Sequence, residues 1–216
     1  MPRINIEIDD TVSVVKYQHR SSFKVKTVLT DELINAFASQ GGVGVPDILP
    51  PGTRYYKRNG SIHTLILEIP PVQRLIRYVN SSHKVIFEGF VPMPWALMQI
   101  NANYIEDRFI VSSAYLYALV RPLMSMTDTV YHFPGANIFP EDKICWGSTL
   151  NGMPPLRRIT EFGRLVDIYF GSEFNTDLHP RIQQYSRYED MLRALKDQKT
   201  FPTEVLVANT VFQHII

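Results

Sequence analysis

The chain has 216 residues, a formal net charge of +1, 45% hydrophobic and 20% charged residues. That length is one large domain, or one domain with a small appendage, and the composition excludes an intrinsically disordered chain. Lys and Arg are scattered rather than blocked and the apolar runs are short, so neither a nucleic-acid partner nor a membrane partner is expected.

At the start, Met1-Pro2-Arg3 with Asp9 and Asp10 close behind does not read as a signal peptide. One cysteine, Cys145, excludes an internal disulfide and a multi-cysteine zinc site, and the simplest inference is a reducing, cytoplasmic setting. Ile4, Ile6 and Ile8 alternate with polar residues as in a strand, and Phe23, Val25 and Thr27 predict another. Thr30-Asp31-Glu32 has the chemistry of a helix start, because a threonine can cap free N–H groups and acids suit the positive end of the dipole. That helix carries Leu33, Ile34 and Phe37 and stops at Gly41-Gly42. Residues 1–48 are therefore read as an N-terminal extension of strands plus one helix, packed on a core domain of residues 49–216. Gly41-Gly42-Val43-Gly44 lacks the Lys-Ser/Thr of a phosphate-binding loop, and residues 41–54 read as a Gly- and Pro-rich linker.

An antiparallel meander is predicted next. Tyr55-Tyr56-Lys57, a turn at Asn59-Gly60, and His63 to Ile69 form a hairpin pattern. Lys84 to Phe87 and Pro94 to Ile100 follow as strands, then Phe109 to Val111 through Tyr115 to Val120, ended by Arg121-Pro122. Beyond Cys145 the period becomes helical: Leu156, Ile159, Phe162, Leu165 and Val166, then Tyr188, Met191, Leu192 and Leu195. Strands first and helices afterwards give an α+β fold, a sheet covered by flanking helices.

The segment Tyr131 to Leu150 carries the chemistry. Pro134, Gly135 and Pro140 favour a sharply turning loop. Ile144-Cys145-Trp146 sets a thiol between bulky apolar residues, and Asn137 precedes it by eight positions. Looping could gather an amide, the imidazole of His132 and the thiol. Each residue also has a purely structural reading: Cys145 as a small buried hydrophobe, Asn137 as a turn residue, His132 as a hydrogen-bonding strut, Trp146 as core or as a cover on the cysteine. His132 and Asp142 are neighbours in sequence, which alone identifies no base. His132, Cys145 and His179 match no zinc spacing, and no metal or cofactor is expected.

The order of this segment resembles the signature of ubiquitin-conjugating enzymes. There a His-Pro-Asn tripeptide precedes an aliphatic-Cys-Leu/Trp step at the Asn-to-Cys spacing seen between Asn137 and Cys145. The closest resemblance is to PRTRC system protein B, prokaryotic conjugating-enzyme family D. It is carried by Leu49-Pro50-Pro51, Arg121-Pro122, Thr129 to His132, Asn137-Ile138-Phe139, Ile144 to Gly147, and Tyr169 to Phe174. The tripeptide is stretched here, since Phe133 separates His132 from Pro134, and Gly135-Ala136 separate Pro134 from Asn137. The resemblance implies a ubiquitin-conjugating-enzyme-like fold and acyl transfer through a thioester on Cys145. Asn137 would donate to the oxyanion or support the loop, with His132 and Trp146 in supporting roles and with a ubiquitin-like protein and an activating enzyme as partners. The alternatives are a catalytically inactive binding or assembly module of a plasmid or phage system, and an assembly component using exposed aromatics.

Overall fold

A computed structural model of the chain describes residues 4–7, 11–19, 22–30 and 48–216. Two compact units result, Met1–Asp47 and Ile48–Ile216. In the first, β1 (Ile4–Glu7), β2 (Val12–His19) and β3 (Ser22–Leu29) form an antiparallel sheet in that order. Strands expected around Ile4 and Val25 are thus present, and β2 joins them. Beyond β3, the buried Thr30 hydroxyl meets the Ser13 hydroxyl at 2.9 Å, and its N–H donates to Thr11 O at 3.1 Å. The helix expected through Leu33, Ile34 and Phe37, the Gly-rich stretch at 41–44, and Ile8 lie outside the described residues.

The second unit is built on a six-stranded sheet with the order β12-β10-β9-β8-β5-β4. Its strands are β4 (Thr53–Asn59), β5 (Ile62–Ile69), β8 (Trp95–Ile105), β9 (Arg108–Leu119), β10 (Thr129–His132) and β12 (Ala208–Val211). All its pairings are antiparallel. The hairpin between β4 and β5 closes through Gly60, whose φ of +61° suits a residue without Cβ. As expected, β9 ends just before Arg121-Pro122.

The region is not one continuous meander. A hairpin of β6 (Gln73–Val79) and β7 (Val85–Pro92) leaves the large sheet, so β5 pairs directly with β8. Prolines explain both exits. Pro70 and Pro71 follow β5, Pro92 ends β7 and Pro94 immediately precedes β8, so neither junction can offer a full set of ladder N–H groups. The hairpin forms a second sheet, order β11-β6-β7, in which the short β11 (Phe174–Asn175) runs parallel to β6.

Helical structure follows the strands, as the change of period predicts, but starts later. Leu156 still bridges Phe109, with Phe109 N–H donating to Leu156 O at 2.6 Å. A 3-10 turn (Ile159–Gly163) then leads into α1 (Arg164–Gly171), and α2 spans Tyr188–Leu195. The Glu161 carboxylate accepts from the N–H groups of Arg157 and Arg158 at 2.7 and 3.1 Å, which holds its pKa below the usual range. Tyr188, Met191, Leu192 and Leu195 are all buried, so the three–four spacing does mark the inward face of α2.

One face of the large sheet presents Leu65, Leu67, Met98, Ile100 and Leu116 to a core shared with Phe162, Leu165, Tyr169 and Leu192. Burying each such side chain contributes about 1.5–3 kcal/mol. The opposite face carries a smaller cluster of Ile66, Leu97, Tyr117, Leu119, Val130 and Phe212. The unit is therefore α+β, with most of its regular secondary structure in antiparallel sheet and two short helices. Among the described residues, no helix is long and apolar enough to cross a membrane.

Candidate functional site

Residues 137–145 form a tight hairpin. Cys145 N–H donates to Asn137 O at 2.8 Å, Ile138 bridges Ile144, and Phe139 N–H donates to Lys143 O at 2.9 Å. The eight-residue spacing between Asn137 and Cys145 is thus the separation of two residues facing each other across the hairpin mouth. The hairpin is docked on β9, where Ile144 N–H donates to Ala114 O at 2.8 Å and Leu116 N–H to Asp142 O at 3.0 Å. Ile144 is buried there, which leaves Cys145 half-buried just outside the core.

The approach to the hairpin is equally constrained. A Cβ on Gly135 would lie 2.7 Å from Phe133 Cε1 and 2.9 Å from Tyr169 Oη, so no larger residue fits. The Tyr169 hydroxyl donates to Ala136 O at 2.9 Å, and its burial raises the phenol pKa well above the ordinary value. Trp146 meets the Tyr169 ring edge-on at 6.4 Å, and its buried indole N–H has no hydrogen-bond partner among the described residues. Trp146 therefore both packs on the core and borders the cysteine.

Asn137 adopts φ +58°, a left-handed conformation that Asn tolerates better than most residues. Its Nδ2 donates to Glu173 O at 2.9 Å, and Asn175 N–H donates to its Oδ1 at 3.2 Å. A residue on a parallel strand would bond the two groups flanking Phe174 in the same way. The carboxamide is thus a strut between the hairpin mouth and the open edge of β11. Of the two roles anticipated for Asn137, loop support matches this geometry.

Cys145 and Asn137 line one side of a groove of about 320 Å³, with Trp146 and the turn after it. Val79, His83, Glu173, Asn175, Asp177 and Leu178 line the rest. The sequence offered no signal for His83 or Glu173 beyond the aromatic motif in which Glu173 stands.

His132 is not part of this groove. It lies at the other end of the hairpin, where its Nδ1 is 2.7 Å from Asp142 Oδ1 and both residues are buried. Proximity of His132 to Asp142 is therefore spatial and not merely sequential. Arg181 Nη1 contacts His132 Nε2 at 3.0 Å. A guanidinium has only donors, so Nε2 accepts and Nδ1–H donates to Asp142. Asn209 Nδ2 donates to Asp142 Oδ2 at 2.6 Å. Burial raises the Asp142 pKa, with His132, Asn209 and Arg181 offsetting part of the shift. With both nitrogens occupied, His132 is a structural strut in this geometry. Among the described residues, no group of three or more His, Cys, Asp or Glu could hold a metal ion.

Residues 30–209 match the family model described as prokaryotic E2 family D. No curated protein and no solved structure gives a significant match. A match over most of the chain, spanning the hairpin of Asn137 and Cys145 and both helices, settles the family: the chain belongs to prokaryotic E2 family D.

Proposed function

We propose that this chain conjugates a ubiquitin-like protein through a thioester on Cys145. The observation that carries the reading is the position of Cys145: half-buried, held by its backbone at the mouth of a docked hairpin, and opening on a groove. A nucleophile that receives a macromolecular tail needs that access, and a core cysteine lacks it. In the first step the Cys145 thiolate attacks the C-terminal carbonyl carried as a thioester by an activating enzyme, the old carbon–sulfur bond breaks, and the donor's thiolate leaves. A lysine amine then attacks the thioester, and the sulfur leaves. Asn137 holds the hairpin mouth against β11 so that the carbonyl meets a fixed wall.

A second reading, an inactive binding or assembly module of a plasmid or phage system, is favoured by one observation. The Asn137 carboxamide is already engaged by Glu173 and Asn175, leaving only one amide hydrogen for an oxyanion. One experiment separates the two readings. The purified chain is incubated with ATP, its cognate activating enzyme and the ubiquitin-like protein. Conjugation gives an adduct cleaved by reductant and absent in Cys145→Ala, while Cys145→Ser gives an ester that resists reductant. An unmodified native chain would support the inactive module.

A further inference from the structure

If Cys145 carries a thioester, the attacking lysine raises a proton problem. A free lysine titrates near 10.4, so at neutral pH it arrives as an ammonium and must lose a proton before it can attack. Cys145 is acylated at that moment and cannot accept it. The cluster of His132 cannot either, since both imidazole nitrogens are bonded to Arg181 and Asp142.

His83 is the one imidazole among the described residues lining the groove of Cys145. It sits in the turn between β6 and β7. Asn80 builds that turn: its Oδ1 accepts from the N–H groups of Ser82 and Lys84 at 3.0 and 2.9 Å, and its O accepts from His83 N–H at 2.9 Å. His83 takes φ +57°, a conformation uncommon outside glycine. Its side chain is 84% exposed, so an incoming lysine can reach it.

The surroundings of His83 lead back to the cysteine. Its Nδ1 faces Glu173 Oε2 at 3.6 Å, and Glu173 Oε1 is 3.1 Å from Arg77 Nε, which also faces Glu88 at 4.0 Å. The backbone carbonyl of the same Glu173 accepts from Asn137, whose own carbonyl accepts from Cys145 N–H. One residue thus joins the imidazole to the strut that fixes the thiol. Asp177 is the other carboxylate of the groove, and Lys84 is the cation next in the turn.

Resting on the thioester reading above, we propose that His83 is the general base for lysine attack and that Glu173 is its positioning residue. Neutral His83 accepts a proton at Nε2 from the lysine ammonium, with Nδ1–H turned to Glu173. The amine nitrogen forms a bond to the thioester carbonyl carbon. The carbon–sulfur bond then breaks, its electron pair leaves on Cys145 Sγ, and the second nitrogen proton ends on that sulfur. His83 returns its proton to water.

The test uses a defined probe. A short peptide thioester ending in Gly-Gly is exchanged onto Cys145, the chain's one thiol, and adduct decay with free lysine is followed by intact mass as a function of pH. First-order decay does not depend on how much adduct forms. In the native chain, lysine-dependent decay is expected to fall along an acid limb. His83→Gln slows it on the order of 10²-fold near neutral pH and replaces the plateau above that limb with a rate that keeps climbing with pH, since only solvent then deprotonates the lysine. Added imidazole restores decay in His83→Ala, and Glu173→Gln gives a smaller loss with the limb retained. Equal urea midpoints for native and variant chains exclude unfolding as the cause. If His83→Gln decays at the native rate with the native pH profile, the inference is overturned while the thioester reading stands. If the native Cys145 takes up no peptide, the thioester reading falls and the inference falls with it.

Discussion

The two ends of the 137–145 hairpin differ in one respect, how completely their polar groups are used. At the tip, the buried pair His132 and Asp142 bond each other and are bonded from the surface by Arg181 and Asn209. At the mouth, Cys145 is half-buried on an open groove with its thiol free, and the imidazole lining that groove, His83, is almost fully exposed. A buried pair with its polar atoms bonded resists rearrangement, because a change leaves a polar group unpaired in a low-dielectric site. An open groove leaves groups available to a visitor. The hairpin is anchored at one end and presents its thiol at the other.

Mutating the two ends should expose that difference. Asp142→Ala removes the acceptor of both His132 and Asn209, and is expected to lower unfolding free energy by about 2–4 kcal/mol in urea melts. A loss under about 0.5 kcal/mol would show that the tip is not an anchor. Asn137→Ala removes two hydrogen bonds and places a Cβ residue with no side-chain compensation at positive φ, for an expected loss of about 1–3 kcal/mol. Asn137→Gly retains the backbone freedom and should recover part of it, so equal losses in the two variants would assign the whole effect to the strut.

A pH titration sharpens the same contrast. Burial raises the Asp142 pKa in the folded chain, so the fold holds that proton more tightly than the unfolded chain does. The associated stability is full below the ordinary carboxyl range and is lost as pH rises through the raised value. Asp142→Asn should therefore flatten the stability-versus-pH curve over that window, and an unchanged curve would remove Asp142 as the source. The smallest effect is expected at the mouth. Cys145→Ala should change stability by less than about 1 kcal/mol, since the lost sulfur already borders a groove. A loss of several kcal/mol would instead identify Cys145 as a packing residue and weaken its reading as a nucleophile.

Local chemistry made part of this architecture legible. Alternation marked β1, runs of strand-forming residues marked β5 and β9, and Asn59-Gly60 marked the turn that closes the β4–β5 hairpin. Helical spacing marked the buried face of α2, and Pro134, Gly135 and Pro140 marked a turning segment around Cys145. These are properties of a few consecutive residues, so sterics and periodicity reveal them without a partner. The eight residues from Asn137 to Cys145 belong to the same class, because a hairpin mouth is set by the chain between its ends.

The rest was decided by packing. β6 was not marked, and the strand expected at Lys84 to Phe87 does not say which sheet it joins; only the proline-broken junctions together with the core choose the second one. The partners of the site come from far along the chain: Glu173 is 36 residues from Asn137, Arg181 is 49 from His132, and Asn209 is 67 from Asp142. A polar side chain needs a particular partner only once burial has removed water, and burial exists only in the assembled fold. The sequence by itself marked several of the strands and turns, the inward face of α2, and a loop able to fold Asn137 back towards Cys145. Which of its imidazoles is locked and which is left facing the groove was determined by tertiary structure, because that depends on what the folded chain brings alongside each one.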